Sequence, residues 1–294
     1  MNSSAPRLFC FGLGYSAQVI ARGLMAQGWS VAGTCREQAA VADLRALGIA
    51  AFGFDGDSRS QDISAGLAGA THLLSSVPPD GQGDPVLNHF ENDIAGLSRT
   101  LVWAGYLSTT GVYGDRDGGT VLEDDALRPT SDRSARRALA EARWLALADG
   151  GVPVHAFRLA GIYGPGRNAI DQVRAGLGQR IDKPGHRFSR IHVADIANVI
   201  EASMARPNPG AIYNVCDDEA AAAADVIAYG CELLGVDLPP LQPFADLKGD
   251  MSAMKRSFWV DNKRVDNSKI KTELGVKLIY PTYREGLRAC LQES

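Results

Sequence analysis

The sequence predicts an α/β protein built on a doubly wound parallel sheet with helices on both faces. Three observations lead there. A strand–turn–helix–strand unit fills Leu8 to Arg36. Strand-like and helix-like segments then alternate as far as Leu159. The strand segments are short continuous apolar runs, as expected of strands buried on both faces.

The elements follow in order. Leu8, Phe9, Cys10 and Phe11 form the first buried strand. Gly12-Leu13-Gly14-Tyr15-Ser16-Ala17 comes next, a G-x-G-x-x-A turn. A helix follows with Val19, Ile20, Gly23 and Leu24 on one face and Gly28 as its stop. The second strand lies near Ser30 to Thr34. Gln38 to Leu47 reads as helix, and Ile49 to Phe54 as a strand ending at Asp55. Thr71 to Val77 is a strand closed by Pro78-Pro79, and 79–85 is a loop by composition. Val86 to Thr100 reads as helix, Leu101 to Ser108 contains a strand, Asp132 to Ala148 is a helix, and Val154 to Leu159 a strand.

The second half is less regular. Gly161 to Gly166 should leave the sheet as a loop, and Asn168 to Gly178 suits a helix. Ile191-His192-Val193 reads as a short return to sheet before a helix over Ala194 to Ala205. A strand at Ala211 to Val215 and a helix at Ala220 to Leu234 complete the pattern. The tract Pro239 to Lys255 is poorly patterned, and no internal repeat is visible.

Composition narrows the function classes. The chain has 294 residues, 45% hydrophobic and 22% charged, ordinary for a globular protein with a sizeable core. A net charge of −4 gives no bulk attraction to nucleic acid, and no aromatic platform accompanies a basic groove. Five cysteines without a C-x-x-C pair argue against zinc or a disulfide framework and for a reducing compartment. No basic stretch followed by an apolar signal region precedes the first strand, and the apolar runs are too short to span a membrane. The expectation is a cytoplasmic protein with neither membrane nor nucleic-acid partner. The five histidines show no metal-ligand spacing, so no metal site is expected. The first turn lacks the Lys-Ser/Thr ending of a P-loop and the closing glycine of a hydrolase nucleophile elbow.

The glycine turn points instead to a dinucleotide. Gly12 permits the tight turn, Gly14 lets the backbone approach a pyrophosphate, and the small Ala17 allows helix and strand to pack closely. Tyr15, Ser16 and Ala17 open the helix, whose unpaired N–H groups suit an anion. The end of the second strand bears on the choice of nucleotide. NAD-preferring folds place an acid there to bind the ribose hydroxyls. Here Gly33-Thr34-Cys35-Arg36 offers a cation suited to a 2′-phosphate, so NADP(H) is favoured over NAD(H). Glu37 keeps NAD(H) open, because a small register shift would turn it toward the ribose.

Several blocks then line up: GLGYSA, LSTTGVYGD at 107–115, FRLAGIYGPGR at 157–167, RIHVADIA at 190–197, IYNVCDDE at 212–219 and YPTYREGL at 280–287. In this order they resemble the extended and atypical short-chain dehydrogenase/reductases, the NAD(P)-dependent epimerase/dehydratase group. The resemblance implies a Rossmann domain over 1–166, with 191–216 returning to it. It also implies a small, discontinuous C-terminal substrate lobe, mainly 167–190 and 217–294. Many relatives dimerise through helices beside the sheet, so a homodimer is the assembly to test for. In the same comparison Asp55 stands where relatives contact adenine, or else is a turn residue. Ser75 and Ser76 stand where the backbone passes the nicotinamide-side ribose.

One departure limits how far an activity carries over. Active relatives place a Tyr-x-x-x-Lys pair on the helix after the S/T-x-x-V-Y-G strand end. The lysine binds the cofactor ribose and lowers the tyrosine pKa. Anchored on Pro129 and Glu141, the resemblance puts Arg133 at the tyrosine position and Arg137 at the lysine position. Arginine stays protonated and is a poor proton shuttle. Arg137 can still donate to a ribose or phosphate, and Arg133 can clamp an anionic substrate group. The alternative is that Arg133, Arg136 and Arg137 form a solvated face. Thr109 matches the family's catalytic Ser/Thr, whose hydroxyl bonds a substrate carbonyl or alcohol; a local backbone cap is its plainer role. Tyr113 and Tyr163 are the nearest phenols for the missing tyrosine, with packing as the alternative. Asp115 is either an acid–base group or a loop cap. The basic stretch Arg167 to Arg190 either holds a phosphorylated or nucleotide-linked substrate or is a solvated face.

Two functions follow. One is an NADP(H)-dependent oxidoreductase, epimerase or dehydratase that moves a hydride at a hydroxyl or carbonyl carbon of a small substrate. The other is a catalytically silent NAD(P)-binding or redox-sensing protein.

Overall fold

The structure is a computed structural model that describes residues 5–249, 251, 256 and 258–293. The chain runs β1 (Arg7–Phe11), α1 (Tyr15–Ala26), β2 (Ser30–Cys35), α2 (Gln38–Ala46), β3 (Ala50–Gly53), α3 (Gln61–Leu67), β4 (His72–Ser75), α4 (Pro85–Gly96) and β5 (Trp103–Thr109). It continues with β6 (Thr120–Val121), α5 (Asp132–Ala146), β7 (Val154–Leu159), β8 (Gly161–Tyr163), α6 (Ala169–Arg174), β9 (Arg180–Asp182), β10 (Arg190–His192), α7 (Val193–Ala205) and β11 (Ile212–Val215). The last described elements are α8 (Ala223–Leu234), β12 (Leu241–Pro243), α9 (Phe244–Leu247), β13 (Arg264–Val265), α10 (Ser268–Thr272) and α11 (Tyr283–Gln292). Contacts divide the chain into two units. Unit 1 holds 1–109, Asp132–Arg158 and Ala197–Tyr213; unit 2 holds Thr110–Ser131, Leu159–Ile196 and 214–294.

Unit 1 is built on the expected doubly wound sheet. Seven strands run in the order β11-β7-β5-β4-β1-β2-β3. The pairings β1 with β2 and β4, β2 with β3, and β4 with β5 are all parallel. The strand order turns back between β1 and β4. That switch point opens a crevice beyond the carboxyl ends of the strands, where ligands of such sheets bind.

The sequence explains why these strands are central. β1 and β4 are fully buried along Leu8–Phe11 and Leu73–Ser75. Phe9 and Phe11 meet edge to face at 4.9 Å, and Phe90 of α4 lies 5.2 Å from Phe11. Asp84 and Pro85 start α4: the Asp84 carboxylate accepts from the Leu87 N–H at 3.0 Å, and proline needs no partner in the first turn. Under α5, Trp144 stacks on Tyr106 at 5.7 Å and donates to Asp84 at 2.9 Å.

Unit 2 has its own core. Tyr163, Ile170, Val226, Ile227, Tyr283 and Leu287 are among the buried residues that join α6, α8 and α11. Thr282 and Glu285 close a reciprocal capping box at the start of α11.

The structure departs from the sequence reading in several elements. Gly161–Tyr163 is not loop but strand β8, paired parallel to β10 in a separate two-stranded sheet, where Tyr163 is buried and Ile162 partly so. Ile191 and His192 therefore enter this small sheet, and the main sheet regains the chain only at β11. α4 ends at Gly96, and α6 at Arg174. Helix α3 has no counterpart in the reading; its Ser64 and Gly66 blur the apolar period carried by Ile63 and Leu67. Within the tract 239–255, β12 and α9 form, while residues 250 and 252–255 lie outside the described residues.

Candidate functional site

The glycine turn sits at the carboxyl end of β1, on the switch point. Thr34 of β2 fixes it from beneath: its hydroxyl accepts from the Gly12 N–H at 3.0 Å, and its carbonyl from the Leu13 N–H at 2.6 Å. Gln18 reaches back to the Leu13 carbonyl at 2.9 Å. Gly12 has φ +85°, and a Cβ there would come within 2.9 Å of Ser76 Oγ. Only glycine suits that position.

Gly14 differs. Its φ of −84° is open to any residue, and a Cβ there would meet nothing within 4 Å. The space above Gly14 is therefore empty of protein. Gly14 is also the N-cap of α1, and no side chain caps that helix. Tyr15, Ser16 and Ala17 form its first turn; Tyr15 is partly buried, and Ser16 and Ala17 are buried. Backbone amides at a helix start without a capping side chain suit an anion. The arrangement fits the pyrophosphate of a dinucleotide.

The neighbouring strand ends carry the other nucleotide candidates. Arg36 follows β2 directly and is exposed, and among the described residues no carboxylate lies within ion-pair distance of it. Asp55 follows β3, also exposed, and its carboxylate accepts the Asp57 N–H at 3.0 Å in a tight turn. At the end of β4, Ser76 Oγ donates to the Gly12 carbonyl at 2.5 Å. Ser75 is fully buried, and its hydroxyl has no partner among the described residues.

The end of β5 and the start of α5 hold the next group. Thr109 is the last residue of β5 and is partly buried. Arg137 donates to the Tyr106 hydroxyl and to the Leu107 carbonyl, each at 3.1 Å, and lies over the Tyr106 ring at 5.6 Å. It is anchored on the strand. Arg133, one turn earlier, is exposed.

Beneath them lies a buried cluster. Glu141 receives the Ser108 hydroxyl at 2.5 Å and the Arg158 guanidinium at 2.6 and 3.1 Å. Arg158 and Glu141 are 3% and 2% exposed, so the pair ties α5 to β7 deep in unit 1. The sequence reading used Glu141 only as an alignment anchor and passed over Arg158. The signal was present: a charged residue within the apolar strand VHAFRL must find a partner. Thr34 was likewise missed, although a hydroxyl beside a glycine turn is a ready backbone acceptor.

Tyr113 and Tyr163 belong to unit 2. Tyr113 is fully buried and donates its hydroxyl proton to Asn214 at 2.7 Å. Tyr163 is buried beside His192, and burial raises its pKa further from neutrality. Asp115 is exposed and accepts backbone N–H groups of Asn262 and Asp117, which lowers its pKa. Burial pushes the Asp217 carboxyl up to about 8, against the opposing charge of Arg190. Among the described residues, no group of three or more His, Cys, Asp or Glu is placed to hold a metal ion. No helix among them is long and apolar enough to cross a membrane.

No protein-family model matches the chain. A functionally unknown conserved protein from Silicibacter pomeroyi DSS shares 49% identity, covers 99% of both chains and superposes with a TM-score of 0.90. Protein YeeZ of Escherichia coli (strain K12) is 29% identical over 280 residues, 92% of this chain and 94% of that protein. The dTDP-glucose 4,6-dehydratase from Bacillus anthracis str. Ames, solved in complex with NAD, has a TM-score of 0.76 at 15% identity, covering 98% of this chain and 96% of that one. The chain thus belongs to the same family as the Silicibacter pomeroyi protein and has the Rossmann-like fold of NAD-dependent dehydratases and epimerases.

Proposed function

We propose that the protein is an NADP(H)-dependent oxidoreductase of the epimerase/dehydratase type, acting on a hydroxyl or carbonyl carbon of a small substrate, nucleotide-linked substrates included. One observation carries the reading: the glycine turn at the switch point, with open space above Gly14 and a helix start that no side chain caps. Structures of the same fold hold NAD. The exposed Arg36 after β2, with no ion-pair partner among the described residues, supports a 2′-phosphate over a free ribose hydroxyl. Ser75 and Ser76 border the crevice at the end of β4, and Asp55 caps the turn at the adenine side.

A bound nicotinamide would supply or accept the hydride. The chain's own part is to position the substrate oxygen, with the Thr109 hydroxyl as its hydrogen-bond partner. Arg137, held by Tyr106 and Leu107, keeps a positive charge beside the end of β5. Tyr113 is buried with its hydroxyl on Asn214, which supports packing over proton donation as its role. That last point also favours the second reading, nucleotide binding without turnover. The soluble, cytoplasmic homodimer stays part of the proposal.

The test is a titration of NADPH, NADP⁺, NADH and NAD⁺ against the wild type, Arg36→Ala and Gly14→Val. A valine at Gly14 meets no protein atom near its Cβ and suits the backbone angle, so folding should persist while nucleotide binding is lost. Tight NADP(H) binding that falls at least tenfold in Arg36→Ala is expected. Equal binding of Gly14→Val and wild type would refute the site. Turnover on a panel of sugar nucleotides and carbonyl compounds, abolished in Thr109→Ala, separates the enzyme from the silent binder.

A further inference from the structure

Helix α5 opens Asp132-Arg133-Ser134-Ala135-Arg136-Arg137, three guanidinium groups in two turns against one acid. Cations at a helix start oppose the helix dipole, so this composition does not stabilise the helix. No neighbouring carboxylate closes an ion pair with it either, although the buried Asp84 lies within Coulombic reach of Arg137. Among the described residues, none of the three arginines forms an ion pair. Further along the same helix, Arg143 pairs with Glu91, and Glu141 with Arg158.

The geometry gathers the three donors. Arg133 is three residues from Arg136 and four from Arg137, so it neighbours both on the helix surface. Arg137 is pinned to the end of β5, the strand that finishes in Thr109. Arg136 has its Nε shielded from solvent with no acceptor among the described residues. That unmet donor leaves the guanidinium under-satisfied, and an oxyanion held by its remaining N–H groups would offset part of that cost. Arg133 is exposed and keeps its planar fork free for a bidentate contact.

We infer that the first two turns of α5 bind an oxyanion of the substrate, a carboxylate or a phosphate, with Arg133 as the principal fork and Arg136 and Arg137 as its support. The substrate class is therefore an anionic alcohol or carbonyl compound. This deepens the hydride-transfer reading and rests on it for the word substrate; the anion site itself does not.

The test is calorimetric titration of the NADPH-loaded protein with oxalate, inorganic phosphate and neutral dimethyl oxalate. Oxalate or phosphate should bind and dimethyl oxalate should not. Arg133→Gln should weaken the anion at least tenfold and Arg133→Lys by less, since lysine keeps the charge and loses the fork. Arg99→Gln, an exposed arginine elsewhere in unit 1, should bind like wild type. Whichever anion binds through Arg133 identifies the group. The inference is overturned if neither anion binds, if Arg133→Gln binds as wild type with an unchanged melting temperature, or if Arg99→Gln loses as much. Anion binding through Arg133 by a protein that takes up no nucleotide would keep this site and discard the hydride-transfer reading.

Discussion

The two halves of α5 treat charge in opposite ways. In the second half every charged side chain named above has a partner: Glu141 holds Arg158 and Ser108, and Arg143 holds Glu91 and Asn88. In the first half Arg133 and Arg136 have none among the described residues, and Arg137 bonds only neutral oxygens. One helix, on one sheet, thus carries a compensated end and an uncompensated end. Charge that serves the fold is neutralised from within. Charge left open at a strand end is available to something from outside.

The comparison can be broken first at Glu141. Glu141→Ala takes the carboxylate away from the buried, charged Arg158, and should cost about 3–5 kcal/mol in denaturant unfolding. A loss below about 1 kcal/mol would show that the second half is not held by its charges.

Unit 2 sharpens the rule. Asp217 is buried, and its Oδ2 has no hydrogen-bond partner among the described residues. Its carboxyl is pushed from 3.8 up to about 8 by burial, with Asp218 and Glu219 adding and Arg190 opposing. The folded chain then binds a proton that the unfolded chain has released. Stability should be fully present below the unfolded value, fall as pH rises, and level off above about pH 8. Asp217→Asn should remove that slope and exceed wild-type stability at pH 8 by roughly a few kcal/mol in melts run from pH 4 to 9. A slope that persists in Asp217→Asn would assign it to another group.

Smaller effects complete the series. Arg143→Ala removes a half-exposed pair and should cost at most about 1 kcal/mol. Arg133→Ala should change unfolding by no more than about 0.5 kcal/mol, with a slight gain from relieving the helix dipole. A large stability loss there would make Arg133 a structural residue and erase the contrast.

Much of unit 1 was legible because its signals are local. The run from Leu8 to Ala17 contains a buried strand, a positive-φ glycine and a helix start within ten consecutive residues, and each has a residue-level cause. The second-half errors have a different origin. Nothing in GIYGPG distinguishes a loop from a strand that pairs with a segment 29 residues later (161 to 190). The committed hydroxyl of Tyr113 is equally non-local, since Asn214 is 101 positions away. The arginines at 133, 136 and 137 were visible, but their lack of partners is a property of the folded chain.

Trp144 gives α5 an optical handle. It is fully buried, stacked on Tyr106 and hydrogen-bonded to Asp84, and Tyr106 in turn carries Arg137 on its hydroxyl. The pair is close enough for excitation of the phenol to reach the indole, and rigid enough to give a strong near-ultraviolet dichroic band. An anion that draws on Arg137 would shift that signal, so the helix reports its own occupancy without a label.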